Sequence, residues 1–377
     1  MKKYLIINPF GIGDALFTTP VIKAIKDRHP DSFIGYWSNE RVGELLINNQ
    51  KIDKVFALSR GDLKRIYINY PLKRLTALIK LINDIRGERF DIAFDFSLDS
   101  RYGLWSKLAG IKKRIGFDYK GRGRFLTDKV RLTEYSGKHV VEHNLDLLKF
   151  IDSDCRAPLR VPYSLEVSEE SRIKARSILE EYDVVVTDLL IGVAPGGGAS
   201  WGKDAIYKQW AAKKFGELAE RLEKDLNAKV VLLGSAEEKP IADIVSGKMG
   251  QSPSAFAKAS ADKSGAVHIF PIINLVGKLD LKELAAIIGE LKLLVCNDGG
   301  PMHMAVALGV KTVSLFGPVD EKVYGPYSPN EKHIVMKKDL SCRPCYKDFR
   351  FTGCSNNRKC LDGITVDEVF EKVKNIL

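Results

Sequence analysis

The sequence predicts an α/β protein built from two doubly wound domains. The first observation is length: 377 residues exceed one ordinary core and suit two. The second is rhythm. Short apolar runs alternate with stretches of helical period, which argues for parallel sheets covered by helices on both faces. The third is that apolar runs lead straight into glycine-rich turns at Gly11–Asp14, Pro195–Ala199 and Asn297–Pro301. Ligands of such sheets bind beyond the carboxyl ends of the strands, where these turns lie.

Tyr4–Asn8 reads as the first strand and Ala15–His29 as a helix, with Leu16, Val21, Ile22 and Ile25 on one face and Pro20 in its early part. Phe33–Trp37 is a strand, Val42–Leu46 a helix and Lys54–Ala57 a third strand. Leu72–Arg86 has the spacing of an amphipathic helix, with Leu75, Leu78, Ile79 and Ile82 on one side. Strand Phe90–Phe94 ends in Asp95; helix Leu104–Ala109, strand Arg114–Phe117 and helix Val140–Phe150 follow. The rhythm lapses over Asp152–Val167, a proline-bearing zone that is the expected interdomain linker, and Glu169–Glu181 is a helix. The second unit starts with strand Leu190–Ala194 and continues through helix Ala211–Lys224, strand Lys229–Leu233 and helix Lys239–Met249. Gln251–Gly265 is rich in Ser, Ala and Lys without an apolar period, and is expected to be a disordered insertion. Strand Ile272–Val276 and helix Leu281–Leu291 precede strand Leu293–Cys296, helix Met302–Leu308 and strand Lys311–Phe316. Thr365 with Glu368 forms a capping box that opens a closing helix to Ile376. The expected division is residues 1–165, residues 185–362, and a closing helix over 363–377.

The stretch from Leu293 to Pro318 organises the chain. Glycines 299 and 300 let backbone approach a ligand, and Pro301 suits a first helical turn. A helix start offers free N–H groups and the positive end of a dipole, so the turn reads as an anion seat, or more plainly as a tight crossover.

Composition is that of a globular protein, 45% hydrophobic and 28% charged. No apolar run is long enough to span a bilayer. Met1-Lys2-Lys3 and the apolar run behind it imitate a secretion signal, but the run is short and lacks a cleavage site, so a cytoplasmic protein is expected. The net charge of +11, dense over Lys112–Phe125, suits an anionic partner or a solvated surface; no helix-turn-helix or RNA-recognition signature points to nucleic acid. Of six cysteines, four crowd one loop: Cys342, Cys345, Cys354 and Cys360. The first pair has zinc-ligand spacing and the later two are looser, so a structural zinc and free thiols are both open.

Taken together, the opening IINPFGIGDALFTTPVIKAIKDRHP, the middle LIGVAPGGGASW with YKQWAAKKFGELAERL, the LLGSAEE turn, and NLVGKLDLKELAAII with CNDGGPMHMAVALGVKTVSLFGP resemble glycosyltransferase family 9, the bacterial heptosyltransferases of the lipopolysaccharide inner core. The resemblance runs in order along nearly the whole chain. It implies a GT-B fold, two Rossmann-like domains facing a central cleft. The acceptor would bind the first domain and the nucleotide sugar the second, and the closing helix would pack back toward the N-terminal domain. It further implies an ADP-sugar donor, an inverting transfer, no metal requirement, and an anionic glycolipid acceptor met by a protein peripheral at the inner face of the inner membrane.

By this resemblance Asp14 is the catalytic base, although Asp also suits a helix cap there. Gly299 and Gly300 seat the diphosphate, with Gly196, Gly197 and Ser200 as a second seat. Lys208, two residues before Trp210, matches a phosphate contact; Glu238, with Glu237 as the neighbouring register, a ribose contact; and Asp298 a contact to donor sugar hydroxyls. His303 stands near the phosphates or satisfies its helix end. Lys112, Lys113, Arg114, Arg122 and Arg124 would meet the acceptor's phosphates. The chain departs from the family pattern at Gly300-Pro301-Met302, which leaves sugar selectivity open. Two other readings stay available from the residues: a nucleotide-sugar epimerase of similar shape, and a non-catalytic binding protein.

Overall fold

The structure, a computed structural model, describes residues 1–57, 71–151, 161–247, 272–328 and 331–377. Most of the expected linker, Cys155 and the Ser/Ala/Lys-rich stretch at 251–265 lie outside the described residues.

The chain forms two compact units. The first comprises Met1–Ser168 with Lys322–Pro329 and Lys347–Arg350; the second comprises Glu169–Glu321, Asn330–Tyr346 and Phe351–Leu377. In the first unit β1 (Lys3–Ile7), β2 (Phe33–Ser38), β3 (Lys54–Ala57), β4 (Ile92–Asp95), β5 (Lys113–Tyr119) and β6 (Asp128–Leu132) make a sheet in the order β3-β2-β1-β4-β5-β6. Every pairing in it is parallel. The second unit repeats the plan with β7 (Leu189–Ala194), β8 (Ala228–Leu232), β9 (Ile273–Asn274), β10 (Leu293–Asn297), β11 (Lys311–Leu315) and β12 (His333–Met336), in the order β12-β11-β10-β7-β8-β9. These pairings too are all parallel. Both orders are the doubly wound one, which reverses beside the first strand. The reversal falls between β1 and β4 in one unit and between β7 and β10 in the other. Strands β4 and β10 are buried at every residue, as apolar strands covered on both faces must be.

Local chemistry moves several expected boundaries. The single helix expected over Ala15–His29 is two helices, Ile12–Leu16 and Thr19–Arg28. Pro20 stands in the first turn of the second, where its missing N–H costs nothing. The Thr18 and Thr19 hydroxyls donate to the carbonyls of Ala15 and Leu16. Helix Pro71–Glu88 buries Leu81 and Ile85 and packs Ile82 of the expected stripe against the same core, whereas Ile79 is 47% exposed. The side chain of Leu75 lies outside the described residues.

The closing helix, Val366–Ile376, starts at the Thr365–Glu368 capping box. Its Val369, Phe370 and Val373 lie in the core of the second unit with Phe215, Leu218 and Leu222 of helix Ala212–Leu226. Its apolar stripe is satisfied there, and Lys311 Nζ donates to the terminal carbonyls of Ile376 and Leu377 at 2.6 and 3.0 Å.

Candidate active site

Each unit carries its candidate residues at its own reversal point. In the first, the loop after β1 is laced by side chains. Asn8 Nδ2 donates to Asp14 O at 2.9 Å, and Asn8 Oδ1 accepts from Phe10 N. Asn39 Nδ2 donates to the carbonyls of Pro9 and Phe10. Asp14 sits in the first turn of helix Ile12–Leu16, whose N-cap is Gly11 and makes no side-chain cap bond. The carboxylate is half-buried. Its charge, after burial itself, helps push the Tyr135 phenol well above its ordinary range. At Tyr36 burial raises the phenol against the Thr18 hydrogen bond, and Asp14 adds to the rise.

Asp95, at the end of β4 and paired in register with Ile7, is a residue the sequence reading passed over as a strand end. It is 6% exposed, Ser97 N donates to its Oδ1 at 2.9 Å, and burial pushes its carboxyl up to about 6 against the Ser97 hydrogen bonds. Alternation of apolar residues could not single it out; its signal was a carboxylate ending a buried strand beside the first.

In the second unit the loop after β7 and the turn after β10 meet. Asn297, also passed over, joins them: its Nδ2 donates to Pro195 O and Gly196 O, and its Oδ1 accepts from Trp210 N. Lys208 Nζ lies 2.8 Å from Asp298 Oδ2, with the two side chains only 8% and 6% exposed. The carboxylate oxygen touches the ammonium but lies off a hydrogen-bonding direction. The ammonium also stands over the Trp201 ring, 5.0 Å from its centroid. Gly299 caps helix Gly300–Ala307, with Pro301 in its first turn. His303, on that turn, is buried, and burial together with the Lys208 charge lowers its pKa to about 3, so the imidazole is neutral.

Glu238 rather than Glu237 faces the glycine loop. Its Oε2 accepts from Ser235 N at 2.8 Å in a capping box, and its Oε1 lies 3.4 Å from Gly198 N. A Cβ at Gly197 would stand 2.4 Å from Ala205 O, so the loop tolerates glycine alone there. The Ser200 side chain lies outside the described residues.

Two expectations change. Lys113 Nζ donates to Phe150 O, and the Arg114 guanidinium donates to the carbonyls of Ile111, Lys112 and Phe125; both cations are engaged with backbone of the first unit. Lys112, Arg122 and Arg124 are exposed. The structural zinc is not supported: among the described residues no group of three or more His, Cys, Asp or Glu is set to hold a metal. The sulfurs bond to backbone instead. Cys345 Sγ donates to Cys342 O, and Cys354 Sγ accepts from Arg358 N. Burial, then the neighbouring thiols, push the Cys345 thiol up.

Residues 78–354 match the model of Glycosyltransferase family 9 (heptosyltransferase). The chain is 25% identical over 381 residues to lipooligosaccharide heptosyltransferase 2 of Campylobacter jejuni subsp. jejuni serotype O:2, covering all of this chain and 98% of the relative. It is 23% identical to lipopolysaccharide heptosyltransferase 3 of Escherichia coli K12, over 84% of this chain and 83% of that one. Among solved structures, the family 9 glycosyl transferase of Veillonella parvula superposes with a TM-score of 0.77 at 22% identity, covering 100% of this chain and 97% of that one. The E. coli ADP-heptose lps heptosyltransferase II gives 0.75 at 23%, covering 100% and 98%. These likenesses show the expected GT-B fold.

Proposed function

The chain belongs to glycosyltransferase family 9 and is a glycosyltransferase, and from that premise we propose that it moves a heptose from ADP-heptose to a hydroxyl of a lipopolysaccharide inner-core acceptor, with inversion. Curated relatives named as heptosyltransferases support the sugar and the acceptor class. The observation that carries the donor half is the buried Lys208–Asp298 pair at the junction of the glycine loop and the helix start. A buried ammonium beside free helix N–H groups suits a diphosphate.

In this reading Asp14 takes the proton of the acceptor hydroxyl as its oxygen attacks the anomeric carbon. The bond from that carbon to the diphosphate breaks on the opposite side, and its electron pair leaves on the β-phosphate oxygen of ADP. The growing charge is met by Lys208, by the N–H groups at Gly299 and Gly300, and by the loop at Gly196 and Gly197, with Ser200 beyond it. His303 serves as a neutral hydrogen-bonding group there. Glu238 takes the ribose hydroxyls, and Asp298 the hydroxyls of the sugar. These groups serve in place of a metal ion.

The exposed Lys112, Arg122 and Arg124 suit an anionic glycolipid. No described helix is long and apolar enough to cross a membrane. The glycolipid acceptor of this reading sets the protein at the inner face of the inner membrane, by peripheral contact.

The test is ADP release with and without a truncated lipopolysaccharide acceptor, for the wild type and Asp14→Asn. Acceptor-dependent release that Asp14→Asn loses while still binding ADP supports donor, acceptor and base together. Equal release without acceptor would remove the transferase reading of this site.

A further inference from the structure

The loop that carries four cysteines has no part in the transfer as described, yet it is knit to the segment that delivers Lys208. Arg358 Nη1 donates to Ile206 O at 2.9 Å, at the end of the 3-10 segment Ala199–Lys208. The backbone N–H groups of Cys345 and Tyr346 both donate to Pro318 O, at 2.8 and 3.1 Å. Arg343 Nε donates to Gly317 O and its Nη2 to Val319 O. From this anchored loop, strands β13 (Tyr346–Lys347) and β14 (Arg350–Phe351) send two rings under Trp201. Tyr346 lies 5.3 Å and Phe351 5.4 Å from it, and Tyr207 packs on Phe351 at 4.8 Å. The Lys208 ammonium stands over the Trp201 ring.

We propose that Trp201, backed by Tyr346 and Phe351, is a positioning residue that holds the Lys208 ammonium in place, so that the cysteine-bearing loop sets donor affinity through Lys208. The inference rests on the reading of Lys208 as a diphosphate contact. A lysine has a long flexible stem, and in this site its ammonium lies against an anionic partner, Asp298. When a diphosphate arrives, the ammonium must serve a second anion without following either. An aromatic face attracts a cation without offering it a hydrogen-bond acceptor, so it holds the ammonium while leaving its protons to the oxygens. Trp201 is itself half-buried, and its orientation is set by the two rings beneath it.

The test measures ADP binding by calorimetry, and donor KM and kcat by acceptor-dependent ADP release. Trp201→Leu is expected to weaken ADP binding about tenfold, mostly in KM, and Trp201→Phe to recover it to within about threefold. Phe351→Leu, remote from the ammonium, is expected to lose about threefold in the same direction. In a Lys208→Met background, Trp201→Leu is expected to add less than about twofold, because the group it acts through is gone. The same loss from Trp201→Leu in both backgrounds would overturn the proposal, as would full affinity in Trp201→Leu alone. Unchanged affinity in Phe351→Leu would remove the loop's part. ADP binding that Lys208→Met leaves untouched would sink the diphosphate reading itself, and the inference with it.

Discussion

Glu238 lies directly beneath Gly196: a Cβ at that glycine would stand 1.7 Å from Glu238 Oε1 and 2.2 Å from its carboxyl carbon. The carboxylate is held by its own capping box, so it is not a free end that can swing aside. Gly196→Ala is therefore expected to displace Glu238 and the loop together. Donor KM should rise about tenfold or more, with a smaller effect on the thermal midpoint. Titration with ADP and steady-state rates of the variant check this; a wild-type KM would show that the carboxylate is mobile.

The Lys208–Asp298 pair predicts an asymmetry between its two partners. Lys208→Met leaves a carboxylate buried without its cation, and such a break costs about 3–5 kcal/mol. Replacing both, as Lys208→Met with Asp298→Leu, is expected to restore most of that stability while abolishing donor binding. Urea midpoints of the single and double variants decide it. A double variant no more stable than Lys208→Met would mean that the pair does not act as a unit.

His303 predicts a flat region in the pH profile. With its pKa lowered to about 3 by burial and by Lys208, it stays neutral in the folded chain. The unfolded chain takes a proton below about 6.5 and the folded one does not, so this group's share of stability is present above that pH. It falls as pH drops toward 3. His303→Gln is expected to shrink the acid-side loss of stability between those values and to leave the shape of the kcat/KM profile between pH 6 and 8 unchanged. An inflection near 6.5 that vanishes in His303→Gln would contradict the buried, neutral imidazole.

Asp95 predicts the opposite slope. Its folded pKa, raised to about 6 by burial, lies above the ordinary 3.8, so the folded chain holds the proton more tightly than the unfolded one. Its share of stability is present below about pH 4 and declines as pH rises through 6. Asp95→Asn is expected to be the more stable protein at pH 8 and no more stable at pH 4, read as thermal midpoints at both. Equal midpoints at pH 8 would show that the charge is solvated.

Phe370, 4% exposed in the core shared with helix Ala212–Leu226, also stacks under the Arg221 guanidinium at 4.0 Å. Phe370→Ala is expected to cost about 3–5 kcal/mol. A loss below about 1 kcal/mol by denaturant titration would mean that the closing helix is peripheral to that core.

Much of the fold could be read from apolar runs that end in glycine turns. β10 and the turn after it stand where Leu293–Cys296 and Asn297–Pro301 indicated, because turn chemistry and apolar continuity are local properties. Helix faces were less legible. Within the stripe through Leu78, Ile79 and Ile82, Ile82 joins Leu81 and Ile85 at the core while Ile79 is exposed, and only the packing partner sets that rotation of the helix. The closing helix was placed by resemblance alone, and its own sequence carried no sign of which core it joins.

The sequence by itself determined the two α/β units, the turns at which ligands gather, and the residue types that do the chemistry there. Each of these follows from a short stretch of chain, its period, its glycines and its helix starts. Tertiary structure alone decided which charges are paired. It brought Lys208 against Asp298 across 90 residues of chain, put Glu238 rather than Glu237 under Gly196, and turned Lys113 to the carbonyl of Phe150 and Arg114 to that of Phe125. The physical reason is that burial and distance set the energy of a charge, and both are properties of packed elements that no local pattern encodes.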